Sequence, residues 1–319
     1  GIPAEPLRAF LTTHGFRSMA ARGGGGDAAA SPAAARPSAM VGGAAATTPA
    51  PANVAVATLP AWPPIDRNRY ETVTDLAALD RWIARIAHVG HVALDTETDA
   101  LDAVTGGLVG ISLATGEGEA CYIPLGHGGR ALLAERPHQL PMGDALARLA
   151  PLLADDAVLK IGHNLKYDVK VLAQHGLAVT PIEDTMLLSF ALDAGAHGHG
   201  LDELAERHLG HQCIAFKDVC GTGKSQISFA EVPLDRATQY AAEDADVALR
   251  LWRHLRHRLW QEGGTRVYEM VDRPLVQVVA DMERRGITVD REQLSRLSAT
   301  FAQDMARLEA AIHEEAGTP

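Results

Sequence analysis

A short apolar run, His91-Val-Ala-Leu94, ends in two carboxylates two residues apart, Asp95 and Glu97. The run reads as a buried strand, and alternate side chains of a strand point to the same face. Two acids on one face of a buried strand end repel each other and resist desolvation unless something cationic sits between them. The fold must therefore bring a cation to this strand end, and a divalent metal is the usual one. An Asp-x-Glu pair alone is a common surface feature. Two clusters downstream give it meaning.

The first is Asn164-Leu-Lys-Tyr167-Asp168, which follows a second apolar strand, Val158–Ile161. On a helix Asn164, Tyr167 and Asp168 fall at i, i+3 and i+4 and share a face, while Leu165, Val169 and Leu172 turn to the core. The second is Tyr240-Ala-Ala-Glu-Asp244 in a long helical pattern, with Tyr240 and Asp244 one turn apart and Ala241, Ala248 and Leu249 free to pack inward. Each cluster alone reads more readily as a solvated helix face. Together they place four carboxylates, Asp95, Glu97, Asp168 and Asp244, on three elements. That number suits two divalent metals, which activate water and stabilise an in-line displacement at phosphorus. All-carboxylate ligation fits Mg²⁺ better than zinc. A tyrosine hydroxyl one turn from a metal-binding aspartate can orient the attacking water.

The rest of the chain supplies a scaffold for such a site. Its 319 residues are 47% hydrophobic and 22% charged, enough for one or two compact domains. No apolar stretch reaches membrane-spanning length, so no membrane partner is expected. The net charge of −11 argues against a broad DNA-coating surface but not against a local basic groove. Three scattered cysteines, Cys121, Cys213 and Cys220, fit a reducing cytosol.

Helical spacing runs from Leu76 to Ile86 behind a Thr74-Asp75 cap, and again over Gly143–Leu153, Asn164–His175, Asp184–Leu192, Leu201–Leu209 and Leu234–Trp260. Strands are predicted at His91–Asp95, Leu108–Ala114, Ala120–Pro124 and Val158–Ile161. Strands first, then helices with a later strand inserted, predict an α/β mixed sheet flanked by helices. Before it, Pro6–His14 reads as a short helix. Residues 20–61 are Ala/Gly/Pro-rich, a disordered linker in place of a transit peptide. After it, Tyr268–Pro319 holds two helical patterns parted by Arg285-Gly-Ile-Thr-Val-Asp290.

In that order Asp95-x-Glu97, Asn164-x-x-Tyr167-Asp168 and Tyr240-x-x-x-Asp244 resemble the three motifs of the DEDDy 3′→5′ exonucleases. The blocks VALDTETDALD, IGHNLKYD, DTMLLSFAL and QYAAEDADVALRLW are similar to the proofreading domain of bacterial DNA polymerase I, from about Tyr70 through Trp252. RPLVQVVADMERRGITVD is similar to the start of that family's polymerase domain, and Pro6–Met19 to the tail of its 5′-nuclease domain. The resemblance implies an RNase H-like fold and four segments: a 5′-nuclease tail (1–19), the linker (20–61), a 3′→5′ exonuclease domain (62–262) and a truncated polymerase start (263–319).

The resemblance also implies roles. Asp95 would bridge two Mg²⁺ (or Mn²⁺) ions, with Glu97 and Asp244 completing one site and Asp168 holding the other. Tyr240 would position the water, Asn164 and Tyr167 would flank the substrate, and Leu101 and Phe216 would contact the bases of a frayed 3′ end. His163 stands where the family often has glutamine. The implied partners are DNA, single-stranded or frayed at its 3′ end, and the polymerase domain of the full-length chain. A cytoplasmic, nucleoid-associated monomer is implied, with the motifs for synthesis beyond Pro319. An RNA-processing exonuclease and a non-catalytic scaffold are the competing expectations.

Weaker signals point nowhere specific. Gly221-Thr-Gly-Lys224-Ser225 lacks the first glycine of a P-loop, since position 218 is Asp. His208, His211, Cys213 and Cys220 fit no common zinc spacing. Gly195–Gly200, with His197 and His199, reads as a flexible turn whose two histidines alone make a poor metal site. Lys166, Lys170, Lys217 and Lys224 are candidates for steering phosphate.

Overall fold

The His91 run is indeed a strand, β2 (His91–Thr98), and it lies inside a six-stranded sheet. A computed structural model describes residues 62–128 and 136–317. The Pro6–His14 helix and the linker predicted from sequence lie outside these residues. The other strands are β1 (Glu71–Thr72), β3 (Leu108–Gly116), β4 (Glu119–Pro124), β5 (Leu159–Gly162) and β6 (Ile182–Asp184). Their order across the sheet is β1-β4-β3-β2-β5-β6. The β2–β3 and β3–β4 pairs are antiparallel, whereas β1–β4, β2–β5 and β5–β6 are parallel. The sheet is therefore mixed, as expected.

Nine α-helices of five or more residues cover the sheet and extend beyond it among the described residues: α1 (Leu76–Val89), α2 (Met142–Leu153), α3 (Lys166–Gln174), α4 (Thr185–Asp193), α5 (Leu201–Leu209), α6 (Phe216–Cys220), α7 (Leu234–Gln261), α8 (Arg273–Arg285) and α9 (Arg291–Ala316). Helix α1 shows why these segments form. The Asp75 carboxylate accepts from the Ala78 amide at 2.8 Å, and Gly90 ends the helix in the left-handed region at φ 77°. Between the caps Leu79, Trp82 and Ile86 repeat at helical spacing and are buried. Each such side chain contributes about 1.5–3 kcal/mol by leaving water.

The period-2 pattern of β2 sorts the two faces. Val92 and Leu94 join a core shared with α1, α2 and α3, while Ala93 joins a second core shared with α4, α5 and α7. Small residues, Ala93, Ala114 and Ala120, line that second face. They leave room for α7, which at 28 residues is about 42 Å long, to cross close to the sheet. Asp95 and Glu97 continue the Ala93 side of the strand and so point towards α7. Thr96 continues the other side, towards α3. Gly110 on β3 is a close approach of another kind: a Cβ there would lie 2.1 Å from the Tyr122 hydroxyl.

After α7 the chain does not leave the sheet at once. A turn of π-helix, Tyr268–Asp272, buries Tyr268 completely. Its hydroxyl donates to Glu183 at 2.8 Å and accepts the Asp184 amide at 3.0 Å, which ties this segment to β6. Helix α8 then packs on α3, where Lys166 and Lys170 both hold Glu283 at 2.5 Å.

Candidate active site

Helix α7 meets the end of β2 at its second and third turns, where Tyr240 and Asp244 lie. There Asp95, Glu97 and Asp244 each present an oxygen within 4.8 Å of the other two. They open into a cavity of about 340 Å³ that also receives Asp168, Tyr240, Asn164, Tyr167, Leu101 and Phe216. All nine residues singled out in the sequence therefore reach one cavity, from one strand, three helices and the loops beside them.

Its electrostatics are one-sided. Burial pushes Asp95, Glu97, Asp168 and Asp244 well above the usual carboxylate range. The charged groups acting on them are other carboxylates: Asp244 on Asp95; Asp95, Asp244 and Asp168 on Glu97; Asp95 on Asp168; Glu243 and Asp202 on Asp244. No cation pulls any of the four down. Glu97 Oε1 is buried with no hydrogen-bond partner. A buried acceptor without a donor is costly, and a buried carboxylate without a counter-charge more so. The donor set is entirely hard oxygen, so these residues fit a divalent cation of the Mg²⁺ class.

Asp168 arrives by a route that the sequence does not disclose. β2 pairs with β5 only as far as Ala93–Ile161. Beyond that point the strands part, and Thr96 turns its amide and hydroxyl to Asp168 Oδ1, at 2.8 and 2.6 Å. Both bonds work against the upward shift. Thr96 thus fixes one oxygen of Asp168 and leaves the other for a ligand. Its signal, a threonine between two acids, acquires meaning only when the parting of β2 and β5 is known.

Asn164 departs from expectation. It is not on the α3 face but two residues before the helix, in the left-handed region at φ 58°, which asparagine tolerates. The cause is Asp184, whose carboxylate draws in the amides of Asn164 (3.2 Å) and Leu165 (2.8 Å) and delays the helix. Tyr167 does lie on α3, with its hydroxyl 2.5 Å from Thr98 Oγ1 and donating to the Ala100 carbonyl at 3.0 Å. It holds the chain just after β2 in place.

Tyr240 stands between two aromatic rings, Phe216 at 6.2 Å and Phe229 at 5.8 Å between centroids. Burial and then the Asp244, Glu97 and Asp95 charges push its phenol far above 10, so the hydroxyl keeps its proton. Phe229 was not foreseen; it sits in a single 3-10 turn with no periodicity to betray it. His163 also lines the cavity, neutral because burial holds it at about 4, with Nδ1 2.9 Å from Thr185 Oγ1. Leu101 is 94% exposed and Phe216 41%, and both stand at the cavity.

The weaker signals resolve in different ways. Lys166 and Lys170 are both engaged by Glu283 and are not open to phosphate in this arrangement, whereas Lys217 is exposed. The Gly221–Ser225 stretch follows α6, not a strand, and forms a 3-10 turn. The four residues that fit no common zinc spacing are split, as that reading expects: His211 and Cys213 lie by Glu243, while His208 belongs to another group with Asp193 and His197.

The 3′-5′ exonuclease family profile matches residues 70–260, more than half of the chain. DNA polymerase I of Rhizobium leguminosarum is 49% identical over 288 residues, which cover 84% of this chain and 28% of that protein. The chain thus spans little more than a quarter of that curated relative. Among solved structures, the polymerase domain of Pol1 from M. smegmatis, in complex with DNA primer-template and dNTP, superposes with a TM-score of 0.60. At 21% identity over 77% of this chain and 38% of that one, it bears on the fold alone. A nuclease in its apo form superposes at TM-score 0.51 and 25% identity, over 68% of this chain and 93% of its own. The mixed sheet with its flanking helices is accordingly RNase H-like, and the enzyme class is nuclease. This chain belongs to the 3′→5′ exonuclease family of DNA polymerase I.

Proposed function

We propose that the chain hydrolyses DNA from the 3′ end, releasing nucleoside monophosphates, and edits for a polymerase domain carried by the full-length protein. The observation that carries the proposal is the convergence of Asp95, Glu97 and Asp244 within 4.8 Å, with only other carboxylates as charged neighbours and Glu97 Oε1 left without a protein partner. Asp95, Glu97 and Asp244 would hold one Mg²⁺ or Mn²⁺, and Asp95 with the free oxygen of Asp168 the other. When bound, two such ions supply an activated water and neutralise charge on the phosphate being displaced.

The protein's own groups do the rest. Tyr240, protonated and wedged between Phe216 and Phe229, offers a hydroxyl to align the attacking water in line with the leaving 3′ oxygen. Leu101 and Phe216 bear on the faces of melted bases, an interaction worth about 1–3 kcal/mol per base for stacked aromatics. Asn164 and Tyr167 shape the wall between the Asp168 side and the strand end. Residues 62–262 form the exonuclease domain, and residues 263–319 the start of the polymerase domain. Helix α9 supports the second assignment: it buries nothing among the described residues and leaves Leu297, Phe301, Leu308 and Ile312 exposed, an apolar stripe suited to further protein.

Digestion of 5′-labelled single-stranded DNA with Mg²⁺ or Mn²⁺ tests the proposal. A ladder shortening from the 3′ end, abolished by EDTA and by Asp95→Ala, is expected. Intact DNA after incubation with folded wild-type protein would overturn it in favour of a scaffold. Faster removal of ribonucleotides would favour the RNA-processing alternative.

A further inference from the structure

A second group of ligand-type side chains lies apart from the acidic cavity and shares no residue with it. After α4 the backbone doubles back sharply: the Ala196 amide donates to the Asp193 carbonyl at 3.0 Å, and Gly195 sits at φ 73°. This returns His197 over Asp193. Helix α5 brings His208 to the same place, and one ligand atom from each of the three lies within 4.8 Å of the others.

We propose that Asp193, His197 and His208 form a metal site for a zinc-class transition ion. His197 Nδ1 is 2.5 Å from the Gly198 carbonyl, so that nitrogen carries the proton and donates. Its lone pair is then on Nε2, which faces Asp193 Oδ2 at 3.7 Å. A backbone carbonyl fixing the tautomer of a histidine is how metal-ligating imidazoles are commonly oriented. The His197 side chain is only 6% exposed.

His208 offers the second lone pair. Its Nε2 is buried without a partner, as is His254 Nδ1 in the ring 5.0 Å away. Two buried ring nitrogens without a hydrogen-bond partner leave a place that a cation would fill. Water would complete four ligands.

Charge and distance agree with this. Arg258 pairs with both Asp193 oxygens (3.2 and 3.3 Å) and with Glu262, which orients the Asp193 carboxylate. Ligand atoms about 2.1 Å from a tetrahedral zinc lie about 3.4 Å from one another. The 3.7 Å between His197 and Asp193 is already near that value. Imidazole with carboxylate suits zinc and disfavours Mg²⁺, so this site and the all-oxygen cavity select different ions. The bound ion clasps the 194–200 turn between the end of α4 and α5.

The test uses the untagged 319-residue chain with Asp95→Ala and Asp244→Ala, so that the acidic cavity does not compete. Titrated with Co²⁺, it should bind one equivalent with the visible absorption of four-coordinate cobalt, displaced by Zn²⁺ but not by Mg²⁺. His197→Ala and His208→Ala should each weaken Zn²⁺ binding by more than the roughly 10–100-fold cost of losing an outer-sphere partner. Their melting in EDTA, unchanged from the parent, shows that they fold. X-ray absorption of the zinc-loaded parent needs no histidine variant and should show at least two imidazoles per ion. No stoichiometric binding, binding indifferent to His197→Ala, or zinc without imidazole neighbours would each overturn the proposal and leave His197 and Asp193 as a simple ion pair.

Discussion

Helix α7 carries Asp244 and Asp246 two residues apart and treats them in opposite ways. Asp246 is fully buried yet saturated: Arg250 donates from Nε at 2.8 Å and Nη2 at 3.2 Å, Tyr70 donates at 2.9 Å, and the Gly118 amide lies 3.1 and 3.2 Å from its two oxygens. Glu243 is equally buried and equally met, by Arg67 (2.7 Å), His211 (2.8 Å) and the Ile214 amide (2.7 Å). Asp244 faces other acids instead, and no cation lowers it. The fold can neutralise a buried carboxylate where it needs one for architecture. At Asp244, Asp95 and Glu97 it does not, and this is the mark of charge held back for a ligand.

The largest effect should come from breaking the unneutralised side. Asp244→Asn removes a metal ligand while keeping shape, and the exonuclease rate should fall at least about a thousandfold, roughly 4 kcal/mol in the transition state. In EDTA the same variant should melt no lower than wild type, because removing one of several crowded charges relieves repulsion. Rate assays paired with thermal melts decide it. A destabilised Asp244→Asn would mean that the carboxylate has an architectural partner after all.

Asp246→Asn should do the reverse. It leaves Arg250 buried, 2% exposed, against a neutral amide, and unpaired buried charges of this kind cost about 3–5 kcal/mol. A urea titration should show that loss, while the protein that remains folded keeps its activity. If the two aspartates gave matching profiles, the distinction between them would fail.

These two residues also show how far the sequence could be read. Asp95, Glu97, Asp168, Tyr240 and Asp244 could be singled out because strand and helix periods place them on faces and the resemblance to known exonucleases selects them among other acids. Nothing in the local pattern separates Asp244 from Asp246, however. Only the resemblance to known exonucleases picks one, since Tyr70 and Gly118 lie far away in the chain. Helix α5 was read to the residue, Leu201–Leu209, because an amphipathic run ends at a left-handed Gly210. β1 and β6, of two and three residues, are too short to show a period. Asn164 was misplaced because the cap that pulls it off the helix, Asp184, is twenty positions on. Thr96 and the joining of His197 with His208 needed the fold itself.

A third effect is smaller. A cation that binds the folded acids and not the unfolded chain stabilises by about 2.7 kcal/mol at a hundred times its dissociation constant. Mg²⁺ should therefore raise the melting temperature of wild type and of Asp246→Asn alike, and should leave Asp95→Ala nearly unmoved. Differential scanning calorimetry with and without Mg²⁺ measures this. A rise in Asp95→Ala equal to that of wild type would place the ion elsewhere.

The smallest effect concerns a buried group that the fold neutralises by a third means, neither counter-charge nor ligand. His127 is 3% exposed, Tyr122 lies 2.8 Å from its Nε2, and Phe229 packs between it and Tyr240. Burial holds its folded pKa at about 4, below the 6.5 of an exposed imidazole. The unfolded chain therefore takes up a proton at this residue as pH falls through 6.5, and the folded chain not until about 4. Its neutral state costs nothing above pH 7, and stability is lost progressively between about 6.5 and 4. His127→Gln cannot take up that proton. Plotted against pH, the difference in unfolding free energy between wild type and His127→Gln should be flat above pH 7 and should shift steadily in favour of the variant from 6.5 to 4. The carboxylates of the two α7 regions and His163 are common to both proteins and cancel in that difference. Parallel curves throughout would show that the protonated His127 finds a proton acceptor in the folded state, and that the fold compensates its charge as it does that of Asp246.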